Sequence, residues 1–207
     1  MHLSQLVINS MNDEQPDPAE PRQRHLVLVG LMGAGKSCIG RRLAARLGWR
    51  FLDADNEIEK AAGCTIPDIF ERHGETAFRD GERRVIQRLL AAEQPHVIAT
   101  GGGAYMDPAT RGAIGARAIA IWLKADLDVL VRRTSRRDNR PLLRQGDPRD
   151  ILEGLMERRH PVYALADLTV DSQDGPPEAT VERVLQALRA AGHAVENEEE
   201  GEALERT

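Results

Sequence analysis

Short runs rich in apolar residues alternate along this chain with longer stretches whose apolar residues return every three or four positions. The runs cover 25–30, 49–53, 96–100, 118–123 and 168–171. Runs this brief, alternating with helical stretches, predict the strands of a parallel sheet covered on both faces. The stretches between them predict helices over about 36–47, in pieces over 54–93, over 108–114 and 126–136, up to His160 and over 177–191. Gly48 fits a helix C-cap, and Gly63, Pro67 and Gly74 interrupt the long helical stretch. Its last piece, about 75–93, brings Ala77, Val85, Leu89 and Ala92 near one face. Pro161 marks the end of the helix before it. Strands alternating with helices imply an α/β fold: three layers, with a five-stranded parallel sheet covered by helices on both faces.

In such sheets ligands gather beyond the carboxyl ends of the strands. That rule brings together Gly30–Ser37, Asp53–Asp55 and Thr100–Gly103. The first of these reads Gly-Leu-Met-Gly-Ala-Gly-Lys-Ser, a phosphate-binding loop between a strand and a helix. Gly30, Gly33 and Gly35 let the backbone turn tightly, so that successive N–H groups point toward phosphate oxygens. Lys36 reaches the β- and γ-phosphates, Ser37 offers a hydroxyl to Mg²⁺, and the positive end of the helix lies beneath the same anions. Cys38 follows directly and reads as a small buried residue.

Asp53 and Asp55 flank Ala54 at the second strand's end. Alternate residues of an extended strand share a face, so both carboxylates could enter the site, one toward Mg²⁺ and one toward a substrate hydroxyl. Equally, Asp55 could be the N-cap of the following helix. Gly101, Gly102 and Gly103 are either a turn whose amides approach a small molecule closely or an ordinary flexible turn. Arg79 and Glu82 are spaced to pair on a helix, at a site or merely at the surface. Arg133, Arg136, Arg137, Arg140 and Arg144 fill a stretch with few apolar residues, which suits a solvated loop or a lid over phosphates.

Composition narrows the function classes. Of 33 acidic residues, ten lie in the first 24 residues or after position 193, leaving residues 25–192 with 23 acids against 25 bases. A near-neutral core argues against a nucleic-acid partner. No apolar run approaches the roughly 20 residues that span a bilayer, and no secretory signal is visible. Cys38 and Cys64 make no disulfide framework, and the six histidines lack metal-ligand spacing. A cytoplasmic monomer is expected. The Pro-rich segment 1–24 and the acidic tail 193–207 are expected to be disordered, around one domain over 25–192.

Taken in order, these motifs resemble the shikimate kinase family: the phosphate loop, Asp53-x-Asp55, Phe78-Arg79-x-x-Glu82, Gly101-Gly102-Gly103, Arg140-Pro-Leu-Leu and Arg159-x-Pro-x-Tyr163. The resemblance spans about 25–192. It implies a P-loop NTPase-type kinase that moves the γ-phosphoryl of ATP, with Mg²⁺, to the 3-hydroxyl of shikimate. It also implies roles. Gly33, Ala34, Gly35, Lys36, Ser37 and Cys38 contact nucleotide, and Ser37 and Asp53 serve the metal, Asp53 through water. Asp55 binds the acceptor hydroxyls and is the proposed base. Arg79 and Arg159 clamp the carboxylate, with Glu82 orienting Arg79, and Gly101 to Gly103 contact the acceptor. Arg140 is the lid arginine over about 137–149, and Arg133 packs near adenine beside the loop 171–176.

Overall fold

The computed structural model describes residues 24–135 and 146–193. Five strands form one sheet in the order β2-β3-β1-β4-β5, every neighbouring pair parallel. They are β1 (His25–Val29), β2 (Arg50–Asp53), β3 (His96–Ala99), β4 (Ala118–Lys124) and β5 (Leu168–Asp171). β1 lies at the centre, and Leu26, Val27, Leu28 and Val29 are wholly buried. The continuous apolar run is therefore a strand covered on both faces.

Between the strands run α1 (Lys36–Leu47), α2 (Ala54–Ala62), α3 (Ile66–Leu90), α4 (Pro108–Arg117), α5 (Leu127–Ser135) and α6 (Pro148–Tyr163), and α7 (Pro177–Ala190) closes the series. α1 packs against α7 and α3 packs against α4, so the sheet is sandwiched between helices as the alternation predicts. Gly48 ends α1 in the left-handed conformation, φ 68°, as its C-cap role requires.

Several local expectations change. Gly63 caps α2, and Pro67 does not break a helix but opens α3, where its missing N–H costs nothing. Thr65 caps α3 in a reciprocal capping box with Asp68. Gly74 is a kink within α3, at φ 78° and ψ 175°. The helix stops at Leu90. Val85 and Leu89 are buried, but Ala77 and Ala92 are exposed; Phe78, Glu82 and Ile86 complete the inward face instead. Pro161 lies inside α6, which continues to Tyr163 although a proline there has no N–H to give the carbonyl four residues before it. The lid expected over 137–149 gives up its end, since α6 begins at Pro148 behind the cap Asp147. The rest of that lid with Arg140, and both terminal segments except Arg24 and His193, lie outside the described residues. No helix among the described residues is long and apolar enough to cross a membrane.

Candidate active site

The carboxyl ends of β1, β2 and β3 open into a cleft of about 460 Å³, bordered by the phosphate loop, Asp53, Asp55 and the three glycines. At its floor the chain leaves β1 through Gly30, Gly33 and Gly35, all at positive φ, and enters α1 with Gly35 as N-cap. The first turn of α1 contains no acid, whereas α2 carries two there and α3 and α6 one each. The positive end of α1 is thus left for an anion. Lys36 Nζ donates to the carbonyls of Gly30 and Leu31, at 2.8 and 3.0 Å, and so braces the loop that it belongs to. Cys38, expected to be buried, is half-buried and borders the cleft, because the first turn of α1 faces it.

Ser37 Oγ donates to Asp53 Oδ2 at 2.7 Å. The other oxygen, Asp53 Oδ1, accepts the N–H of Asp55 at 3.2 Å, which makes Asp53, and not Asp55, the N-cap of α2. The strand ends at Asp53, so Asp55 enters the cleft from the first turn of a helix rather than by strand alternation. A hydroxyl and a carboxylate side by side are hard oxygen donors of the kind Mg²⁺ takes when phosphates and water complete its shell. Among the described residues no three His, Cys, Asp or Glu side chains form a metal cluster.

Across the cleft, Arg79 Nη1 donates to Glu82 Oε2 at 2.7 Å, and Glu82 is buried while Arg79 is half-buried. The pair is therefore not a surface ornament. Burial pushes the Glu82 carboxyl above the usual range, opposed by Arg79 and reinforced by the charges of Asp55 and Asp107. Burial works against the Arg79 cation, but Glu82 and Glu75 outweigh it and hold its pKa up. Arg79 also lies over the Phe78 ring, 5.0 Å from its centroid. Arg159 borders the cleft from α6, beside Tyr163, whose hydroxyl donates to the carbonyl of Gly102.

The glycine triplet has a reason that spacing alone did not show. A Cβ on Gly101 would stand 2.8 Å from Asp55 Oδ1 and 3.0 Å from Glu82 Oε1. One on Gly102 would stand 3.1 Å from Arg159 Nη1, and one on Gly103 2.6 and 2.7 Å from the two terminal nitrogens of Arg79. Their missing side chains make room for the charged groups of three different helices. Arg133 reaches Gly33 and Ser172 from α5, so the expected neighbourhood of Arg133 with the loop after β5 is present.

Residues that motif reading passed over also border the cleft: Ile66, Phe70, Pro177 and Thr180. Phe70 stacks on Phe78 at 4.5 Å between centroids. The signal for it was scarcity, since the chain has three phenylalanines and two of them fall within α3.

A family model described as shikimate kinase matches residues 32–189. A curated shikimate kinase of Paramagnetospirillum magneticum is 61% identical over 165 residues, 80% of this chain and 84% of the relative. One from Bradyrhizobium diazoefficiens is 59% identical over 167 residues, 81% of this chain and 80% of the relative. The structure of the Acinetobacter baumannii shikimate kinase in complex with shikimate superposes with a TM-score of 0.77 at 38% identity, covering 82% of this chain and 94% of that one. A gluconokinase from Sinorhizobium meliloti shares the fold, with a TM-score of 0.55 at 19% identity, over 82% of this chain and 94% of that one.

Proposed function

This chain belongs to the shikimate kinase family and phosphorylates shikimate with ATP, and we propose that the cleft described above carries out that transfer to the 3-hydroxyl with the following division of labour. The phosphate loop and the N-terminus of α1 receive the nucleotide phosphates. Lys36 exchanges its two backbone carbonyls for phosphate oxygens and neutralises the charge that spreads over the γ-phosphoryl in flight. Ser37 and Asp53 would hold Mg²⁺, Asp53 through water, and the ion would supply neutralisation of the phosphate charge. Arg133 contributes at the nucleotide end, and the lid residue Arg140, assigned from sequence, adds a further cation.

On the acceptor side, Arg79 and Arg159 grip the carboxylate. A guanidinium matches a carboxylate in planar, paired hydrogen bonds, and Glu82 keeps Arg79 in the required pose. Phe70 and Phe78 offer an apolar wall to the ring. Asp55, at the start of α2 and opposite Gly101, accepts a hydrogen bond from the hydroxyl that attacks, so that oxygen is turned toward the phosphoryl group. Phosphoryl transfer asks mainly for positioning and electrostatics, which this constellation provides from rigid elements.

The observation that carries the acceptor assignment is the convergence of Asp55, Glu82, Arg79 and Arg159 on the three glycines, each glycine vacating the space that one or two of these groups use. We take the working enzyme to be a cytoplasmic monomer. A coupled ADP-release assay tests the reading with shikimate, gluconate or no acceptor. ADP release should depend on shikimate. Equal turnover with gluconate, or release without any acceptor, would refute the assignment.

A further inference from the structure

Four carbonyls of the phosphate loop each accept from a side chain. Those of Gly30 and Leu31 accept from Lys36 and that of Gly33 from Arg133. The carbonyl of Ala34 accepts from Ser172 Oγ at 2.8 Å. Ser172 follows β5 directly and is 1% exposed. Its hydroxyl spends its one proton on Ala34 and accepts from Arg133 Nη1 at 3.0 Å. Its own N–H donates to the carbonyl of Lys124, at 2.6 Å, which fixes it to the end of β4. The hydroxyl therefore joins the phosphate loop to α5 and to the sheet at one buried point.

A trans peptide is planar, and its C=O and N–H point in opposite directions. Holding the Ala34 carbonyl toward Ser172 turns the N–H of Gly35 the other way. Gly35 borders the cleft, and its φ of 98° is one that glycine alone adopts cheaply. We propose that Ser172 is a positioning residue for the nucleotide phosphates: it sets the Ala34–Gly35 peptide so that the Gly35 N–H faces the anion, and through Arg133 it keys the loop to the base side of the cleft. An amide aimed in advance makes its hydrogen bond to phosphate without reorganising, and an amide free to rotate does not. The inference rests on the cleft being the nucleotide site.

The test is equilibrium binding of ADP, inorganic tripolyphosphate and adenosine to the wild type, Ser172→Ala and Ser172→Cys. Ser172→Ala should weaken ADP and tripolyphosphate by a similar factor, about tenfold for one charge-assisted bond lost to misalignment. Adenosine binding and the shikimate KM should stay within about twofold, and Ser172→Cys, a weaker donor of similar size, should fall between. If ADP and tripolyphosphate bind the alanine variant as they bind the wild type, Ser172 does not position the loop, even if the melting temperature drops. Loss confined to adenosine would assign Ser172 to the base and likewise overturn the proposal. Should Ser172→Ala not fold, Ser172→Cys decides by the same ratios. A wild type that binds none of the three would instead refute the nucleotide site itself.

Discussion

At the scale of single residues, the acceptor side of the cleft is governed by what is missing. Gly103 has an ordinary φ of −94°, so backbone strain does not demand a glycine there. Space does: a Cβ would lie 2.6 Å from an Arg79 nitrogen and 2.9 Å from its central carbon. Gly103→Ala should therefore fold normally and push the guanidinium off Glu82. Charge-assisted hydrogen bonds are worth about 1.5–3 kcal/mol each, so the shikimate KM should rise roughly ten- to a hundredfold while the ATP KM stays within a few-fold. Steady-state kinetics with each substrate varied in turn would show this, and parallel rises in both KM values would contradict it. The residues themselves were legible in the chain, because Asp55, Arg79, Glu82, Arg159 and the triplet appear in a recognisable order. Why the triplet must be glycine was not, since it depends on side chains arriving from α2, α3 and α6. The alternative of Asp55 as an N-cap fails for a related reason: Asp53 and Asp55 both suit a cap, and only the point at which the strand ends decides between them.

At the scale of elements, α1 shows how packing overrides propensity. Gly40 lies in its interior, where glycine costs about 1 kcal/mol relative to alanine. A Cβ there would meet Phe51 Cε2 at 2.5 Å and Leu28 Cδ1 at 3.1 Å, so the helix lies against β1 and β2 more closely than any other residue permits. Gly40→Ala would gain helix propensity and still destabilise, by about 1–3 kcal/mol for a forced fit in a packed core. The same displacement would carry Lys36 and Ser37 with α1, so the ATP KM should rise along with the fall in melting temperature. A variant more stable than the wild type in urea unfolding would show that the contact yields freely. The five strands were readable as short runs between helical stretches, and β5, although two of its four residues are polar, was placed to the residue. Helix ends were less readable. Pro67 and Pro161 look alike in sequence, yet Pro67 sits in a first turn, where an N–H has no partner to lose, and Pro161 sits in a last turn, where the helix continues despite the lost bond.

At the scale of the whole molecule, the sheet has a chemical end and a structural end, and the structural end contains a titration that tests the fold. His25 begins β1 and is buried against His96 of β3, with ring centroids 5.7 Å apart. Its Nδ1 accepts the His96 N–H at 3.1 Å, which requires that nitrogen to be unprotonated. His96 Nδ1 faces the Gln94 carbonyl at 2.6 Å. Burial lowers the His25 pKa below the ordinary 6.5, the His96 and Arg117 charges lower it further, and the carbonyls of Ala92 and Leu90 only partly oppose them. Because the folded value lies below the unfolded one, both states are neutral above about pH 6.5, and the contribution to stability is complete there. As pH falls, the unfolded chain takes up a proton first, and stability is lost down to the folded pKa. His160 is lowered in the same direction by burial and Lys124, and Glu82, raised by burial, acts with the opposite sign nearer the carboxylate range. A comparison of variants therefore isolates His25 better than a single profile does. Asparagine can offer an oxygen where Nδ1 stood and does not titrate, so His25→Asn keeps the acceptor for His96 without the proton. Melting temperatures of both proteins should be measured between about pH 7.5 and 5.5. The wild type should lose more stability across that interval than the variant, the remaining slope belonging largely to His160. Equal losses would mean that His25 is protonated as readily in the folded sheet as in the unfolded chain, and that the end of β1 is not sealed by β3.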